Sequence, residues 1–152
     1  MIMDITLLHG DCLELMKDIP DGSVDMILCD LPYGTTACKW DIIIPFDKLW
    51  EQYERIIRSD GAIVLFGVEP FSSLLRVSNI EHYKYDWYWD KKHGANFAQA
   101  NKRPLKNIET ICVFSKKQSL YFPIKINNPK GVESRSKYKP SKQKEVFVGQ
   151  VS

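Results

Sequence analysis

The chain has 152 residues, 44% of them apolar and 26% charged, which supplies the core of one domain. No run of about 18 apolar residues occurs, so an ordinary membrane-spanning helix is not expected, and Met1-Ile2-Met3-Asp4 lacks the basic start and apolar stretch of a signal peptide. The net charge of +2 divides unevenly: residues 1–115 carry 12 Lys/Arg against 17 Asp/Glu, and residues 116–152 carry 9 against 2.

Taken in order, residues 5–8 (Ile-Thr-Leu-Leu) read as a short strand ending at His9-Gly10-Asp11. Cys12, Leu15, Met16 and Ile19 then share one helical face, with Asp11 placed to cap the helix and Pro20-Asp21-Gly22 to break it. Residues 24–29 form an apolar run between Asp21-Gly22 and Pro32, the pattern of a strand buried on both faces. A loop of small polar residues follows, with Lys39 available to a phosphate and Trp40 read as packing ahead of its alternative, a stacking platform.

Pro45-Phe46-Asp47 opens the clearest helix: Phe46, Leu49, Trp50, Tyr53, Ile56 and Ile57 fall on one face. Glu51 and Arg55 can pair weakly on its outer side, and Ser59-Asp60-Gly61 is its expected end. Residues 62–67 read as a second buried strand, parallel to the first across a short helical crossover. A further helix begins at Glu69-Pro70-Phe71, with Phe71, Leu74, Leu75 and Ser78 on its buried side. Residues 83–89 alternate, with Tyr85, Trp87 and Trp89 on one face and Lys84, Asp86 and Tyr88 on the other, as in a strand. Residues 108–114 supply a last strand, which can lie antiparallel to it because residues 91–107 show little helical periodicity. From Tyr121 onward the pattern fades into loop. The basic end suits either phosphates or plain solvation.

Cys12, Cys29, Cys38 and Cys112 are scattered with no Cys-x-x-Cys pair, which argues against a metal site. Three of them sit in or beside apolar runs and read as reduced core thiols, which fits a cytoplasmic protein. The chemistry concentrates at Asp30-Leu31-Pro32-Tyr33. Side chains at the carboxyl end of a strand in an open α/β sheet lie where ligands bind. An acid, two carbonyls on a stiffened backbone and an aromatic ring suit a flat group carrying an amino donor, such as a base drawn out of a duplex. An ordinary strand-ending turn is the plain alternative. In residues 91–107 a cluster including Lys91, His93, Asn96, Lys102 and Arg103 suits phosphate contact, or simple solvation.

Asp30-Leu31-Pro32-Tyr33 resembles the Asp/Asn/Ser-Pro-Pro-Tyr/Phe/Trp motif of DNA amino-methyltransferases, with Leu31 in place of the first proline. His9-Gly10-Asp11-Cys12 and Asp21-Gly22-Ser23-Val24-Asp25 are similar to the family's lead-in. Trp89-Asp90-Lys91, Lys102-Arg103-Pro104-Leu105 and Ile108-Glu109-Thr110-Ile111-Cys112-Val113-Phe114 are similar to its later sheet motifs. Together they cover residues 5–117, and look most like phage and prophage adenine-N6 enzymes of the β arrangement, in which the catalytic motif precedes the cofactor glycine motif.

The resemblance implies an α/β, Rossmann-like S-adenosylmethionine-dependent methyltransferase fold. It implies a catalytic half over residues 1–117 and, over 118–152, the poorly ordered start of a target-recognition region. It assigns Asp30, Leu31, Pro32 and Tyr33 to catalysis and Asp11 and Asp30 to the cofactor, although a plain capping role for Asp11 is the competing reading. Lys39, Lys91, His93, Asn96, Lys102 and Arg103 fall to double-stranded DNA, with no metal and no membrane. The family's Phe-x-Gly-x-Gly turn has no counterpart among the eight glycines. The sheet is therefore expected to be incomplete, its first and second strands missing. Apolar surface and strand edges should then be exposed, with a second chain or a homodimer expected to complete the fold. Restriction-modification is the implied setting. Cytosine-N4 methylation and a catalytically inactive DNA- or protein-binding remnant are the alternatives.

Overall fold

A computed structural model of the chain describes residues 4–95, 98 and 100–124. Its compact unit runs through Tyr121. Asp11 opens α1 (Cys12–Leu15) by accepting the Leu13 N–H at 2.9 Å, and a 3₁₀ turn, Met16–Asp18, carries the chain towards Pro20. Four strands follow: β1 (Val24–Asp30), β2 (Ile57–Gly67), β3 (Tyr83–Ala95) and β4 (Lys106–Phe114). They are joined in the order β1-β2-β4-β3. β1 and β2 are parallel, and the other two pairings are antiparallel. The crossover helix α2 (Phe46–Ile56) links the parallel pair, and α3 (Phe71–Ser78) links β2 to β3.

Both longer helices pack on one face of the sheet. Ile63 and Leu65 of β2 and Cys112 and Phe114 of β4 meet Leu49, Trp50, Tyr53 and Ile56 of α2 and Phe71 and Leu75 of α3. The Trp50 ring lies 4.8 Å from that of Phe114, and its indole N–H donates to Ser78 at 2.8 Å, so this polar atom is satisfied within the core. Arg76 of α3 reaches Asp86 of β3 at 3.0 Å and Glu69 at 3.2 Å, fixing the helix to the far strand.

Several expectations are corrected. Residues 5–8 form no strand. Leu7 is 91% exposed, and no described strand lies beside these residues to complete a ladder. β1 is not buried on both faces. It is the sheet's edge, and its outward side chains Met26 and Leu28 are 50% and 62% exposed because no helix among the described residues covers that side. The same face exposes Tyr85, Trp87 and Trp89 at the opposite edge, the apolar exposure expected of an incomplete sheet. α2 ends at Ile56, earlier than Ser59-Asp60-Gly61, because Ile57 already pairs with Val24. Residues 58–61 instead form an irregularity inside β2. Gly61 is required there, since a Cβ would sit 2.8 Å from the Asp25 carbonyl oxygen.

Arg55 does not turn towards Glu51. Its guanidinium donates to the Met16 and Ile19 carbonyls at 2.6 and 2.8 Å and to Asp21, closing the 3₁₀ turn against α2. Of the four thiols only Cys112 is buried, Cys29 being half-buried and Cys12 and Cys38 exposed, and Leu74, expected on the buried side of α3, is 54% exposed. β3 runs six residues past Trp89, through a register shift between Asp90 and Ala95 where Lys92 adopts φ 61 and its N–H is accepted by Asp90. No helix among the described residues is long and apolar enough to cross a membrane.

Candidate functional site

Asp30 is the last residue of β1, and it is paired with Phe66 rather than with a core-facing position. The chain turns away from the sheet at once. Leu31 drops its side chain into the core, 5% exposed, which leaves its backbone as the part available to a ligand. Pro32 stiffens the step, and Tyr33 folds back so that its hydroxyl donates to the Asp30 carboxylate. The Tyr33 ring rests against Phe71 at the start of α3, with centroids 4.9 Å apart. Burial, and then the hydrogen bond to Asp30, push the Tyr33 hydroxyl well above the ordinary tyrosine range, so it stays a donor.

Gly34 follows with φ +67, the left-handed backbone that a side chain would strain. The loop then closes on Asp41. That carboxylate is buried and accepts the N–H groups of Gly34, Thr35 and Thr36 at 2.8, 2.9 and 2.6 Å. A hydrogen bond from the Thr36 side chain, together with these amides, holds Asp41 at about 2. A cavity of about 300 Å³ opens beside this loop. Asp30, Leu31, Pro32 and Tyr33 border it on one side of the sequence, and Trp40 and Asp41 on the other. Its size is at the small end for a ligand pocket and suits one flat ring system.

The structure therefore brings the four motif residues together around one cavity. The DNA-facing candidates are spread more widely. Lys39 is exposed on the cavity loop. Lys91 lies on β3, where its ammonium pairs with Glu109 at 3.2 Å, so it is part of the sheet rather than a free cation. His93 is exposed farther along β3, and Lys102 and Arg103 are exposed between β3 and β4. Asn96 lies outside the described residues, as do residues 125–152 of the basic end.

Asp11 serves as the cap of α1 with one carboxylate oxygen, and Asp30 holds the Tyr33 hydroxyl with one of its own. Each keeps a second oxygen with no hydrogen bond among the described residues, which suits the hydroxyl and ammonium groups of S-adenosylmethionine. The fit is partial, because no Gly-x-Gly turn is present in the sequence to cradle the rest. Sequence reasoning did not single out Asp41. Its signal is weak but physical: Gly34-Thr35-Thr36 offers three consecutive amides, and an acid seven residues after the glycine can collect them.

No family model matches the chain. Among curated proteins, the type II methyltransferase M.HinfI of Haemophilus influenzae is 27% identical over 134 residues, covering 66% of this chain and 37% of its own length. Among solved structures, the cytosine-N4-specific PvuII DNA methyltransferase superposes with a TM-score of 0.57 at 17% identity, covering 72% of this chain and 48% of that one. M1.HpyAVI, solved as a complex with SAM, gives 0.55 at 19% identity, covering 83% and 62%. The chain thus has a mixed α/β sheet consistent with an incomplete form of the Rossmann-like fold of S-adenosylmethionine-dependent methyltransferases. It spans 37% of the length of M.HinfI and 48–62% of these two structures.

Proposed function

We propose that residues 1–117 form the catalytic half of a DNA amino-methyltransferase that modifies adenine N6 on a flipped base, with residues 118–152 beginning its target-recognition region. The observation that carries this reading is the Asp30–Tyr33 pair at the end of β1, bordering a cavity sized for one ring system. Tyr33 offers a ring face for stacking. Asp30 and the Leu31 carbonyl accept hydrogen bonds from the exocyclic amino group. This fixes the nitrogen in one orientation, so that catalysis is mainly positioning and charge placement. Because Leu31 acts through its backbone, its replacement of the motif's proline costs rigidity and keeps the acceptor. Bound S-adenosylmethionine would supply the methyl group, with Asp11 and Asp30 holding its polar ends. Double-stranded DNA is the substrate, phosphates being met by Lys39, His93, Lys102 and Arg103. A second chain or a homodimer supplies the uncovered part of the sheet.

Cytosine-N4 methylation is the second reading, favoured by the likeness to the PvuII enzyme. Calorimetric titration of S-adenosylmethionine into the full chain, then methyl transfer to duplex DNA with product analysis, tests both. Micromolar binding with N6-methyladenine as product, lost in Asp30→Ala, supports the adenine reading, and N4-methylcytosine replaces it with the second. Neither binding at millimolar cofactor nor transfer would leave a DNA- or protein-binding module.

A further inference from the structure

Trp40 was expected to pack, but its indole is 73% exposed while it borders the cavity at Asp30 and Tyr33. The large aromatics of the neighbouring helices behave differently: Trp50, Tyr53 and Phe71 are all buried. A tryptophan left this open adds little to the core, and its side chain is free to meet a ligand. The loop beneath it is nevertheless tied down. The next residue, Asp41, collects three consecutive backbone amides, so the position of Trp40 is fixed from one side. Tyr33 is fixed as well, by Phe71 and by Asp30. One anchored ring, Tyr33, and one exposed ring on a tied loop, Trp40, therefore border one small cavity that Asp30 and Leu31 also line.

We propose that Trp40 is a base-binding residue, a second stacking wall that holds an extruded nucleobase together with Tyr33. This rests on reading the cavity as a base pocket. Stacking needs only a π-face, so Trp40 would add affinity for the flipped base, while the acceptors at Asp30 and Leu31 select the amino group.

The test uses the full chain and two single-stranded eight-nucleotide probes, oligo(dA) and its abasic counterpart, which share their phosphates and differ in having bases. Neither requires a duplex to be opened. The wild type should bind oligo(dA) more tightly. Trp40→Ala should lose about tenfold or more of oligo(dA) affinity while abasic binding and the unfolding midpoint stay unchanged. Trp40→Phe should restore most of it, and Trp87→Ala, on the open sheet face, should change nothing. If Trp40→Ala is silent while Tyr33→Leu weakens oligo(dA) binding, the second wall is overturned and the base pocket stands. If Trp40→Ala weakens both probes equally, the residue acts on the backbone and the proposal falls. A wild type indifferent to the presence of bases overturns both the proposal and the base pocket.

Discussion

The Tyr33 hydroxyl donates to the Asp30 carboxylate, so the aromatic ring and the acid that border the cavity hold one another in position. The contact also keeps the hydroxyl protonated, since burial and this bond both oppose loss of its proton. In the unfolded chain Tyr33 ionises near the ordinary tyrosine value of about 10, whereas in the folded chain it holds its proton to higher pH. The folded state is therefore favoured fully below about pH 10 and loses stability as the pH rises beyond it. Tyr33→Phe removes this dependence. Its unfolding midpoint should fall less than that of the wild type on going from about pH 9 to about pH 11. Equal falls would mean that Tyr33 is not protected in the folded chain.

Asp41 gives the opposite pH sense. Its carboxyl sits at about 2, against 3.8 for an ordinary aspartate, so the loop it ties is held fully above about pH 4. That hold fades as the pH falls through the folded value. Asp41→Asn converts one acceptor oxygen into a donor and should release at least one of the three amides at neutral pH. Hydrogen exchange at Gly34, Thr35 and Thr36 should accelerate in the variant. Exchange unchanged from the wild type would remove Asp41 as the anchor.

Much of this architecture was legible in the sequence because local pattern and packing agree there. The Asp11 cap, the apolar face of α2 and the parallel crossover all came from spacing, and all are present. The failures share one cause, the environment beyond each segment. Nothing in residues 5–8 says that no described strand adjoins them. Nothing in β1 says that one side faces solvent. β2 starts at Ile57 because Val24 pairs with it, which periodicity in α2 cannot see. The motif tetrapeptide was visible as chemistry, but Trp40 needed exposure to separate it from a packing residue, and Lys91 needed its partner Glu109 to lose its status as a free cation.

The sheet's two faces make a direct contrast in stability. Leu65, on the helix-covered face of β2, is fully buried, whereas Leu28 of β1 points to the open side. Leu65→Ala should cost about 2–5 kcal/mol by removing contacts and leaving a cavity. Leu28→Ala should cost under about 1 kcal/mol, because most of that side chain is already in water. Chemical denaturation of the two variants measures the difference. Comparable losses would mean that the β1 face is covered in solution.

Lys91, Lys102 and Arg103 looked equivalent as phosphate ligands in the sequence and are not equivalent in the fold. Lys91 is paired with Glu109 on the neighbouring strand, whereas Lys102 and Arg103 are exposed with no ion pair among the described residues. Removing a charge that meets a phosphate releases one fewer counterion. Lys102→Ala and Arg103→Ala should each weaken binding to duplex DNA regardless of sequence, and each should lower the slope of log affinity against log salt by about 0.9. Lys91→Ala should leave that slope almost unchanged and instead cost about 1 kcal/mol of stability, since Glu109 loses its partner. A salt slope that falls for Lys91→Ala and not for the other two would move the phosphate contact from the connection between β3 and β4 onto the strand itself.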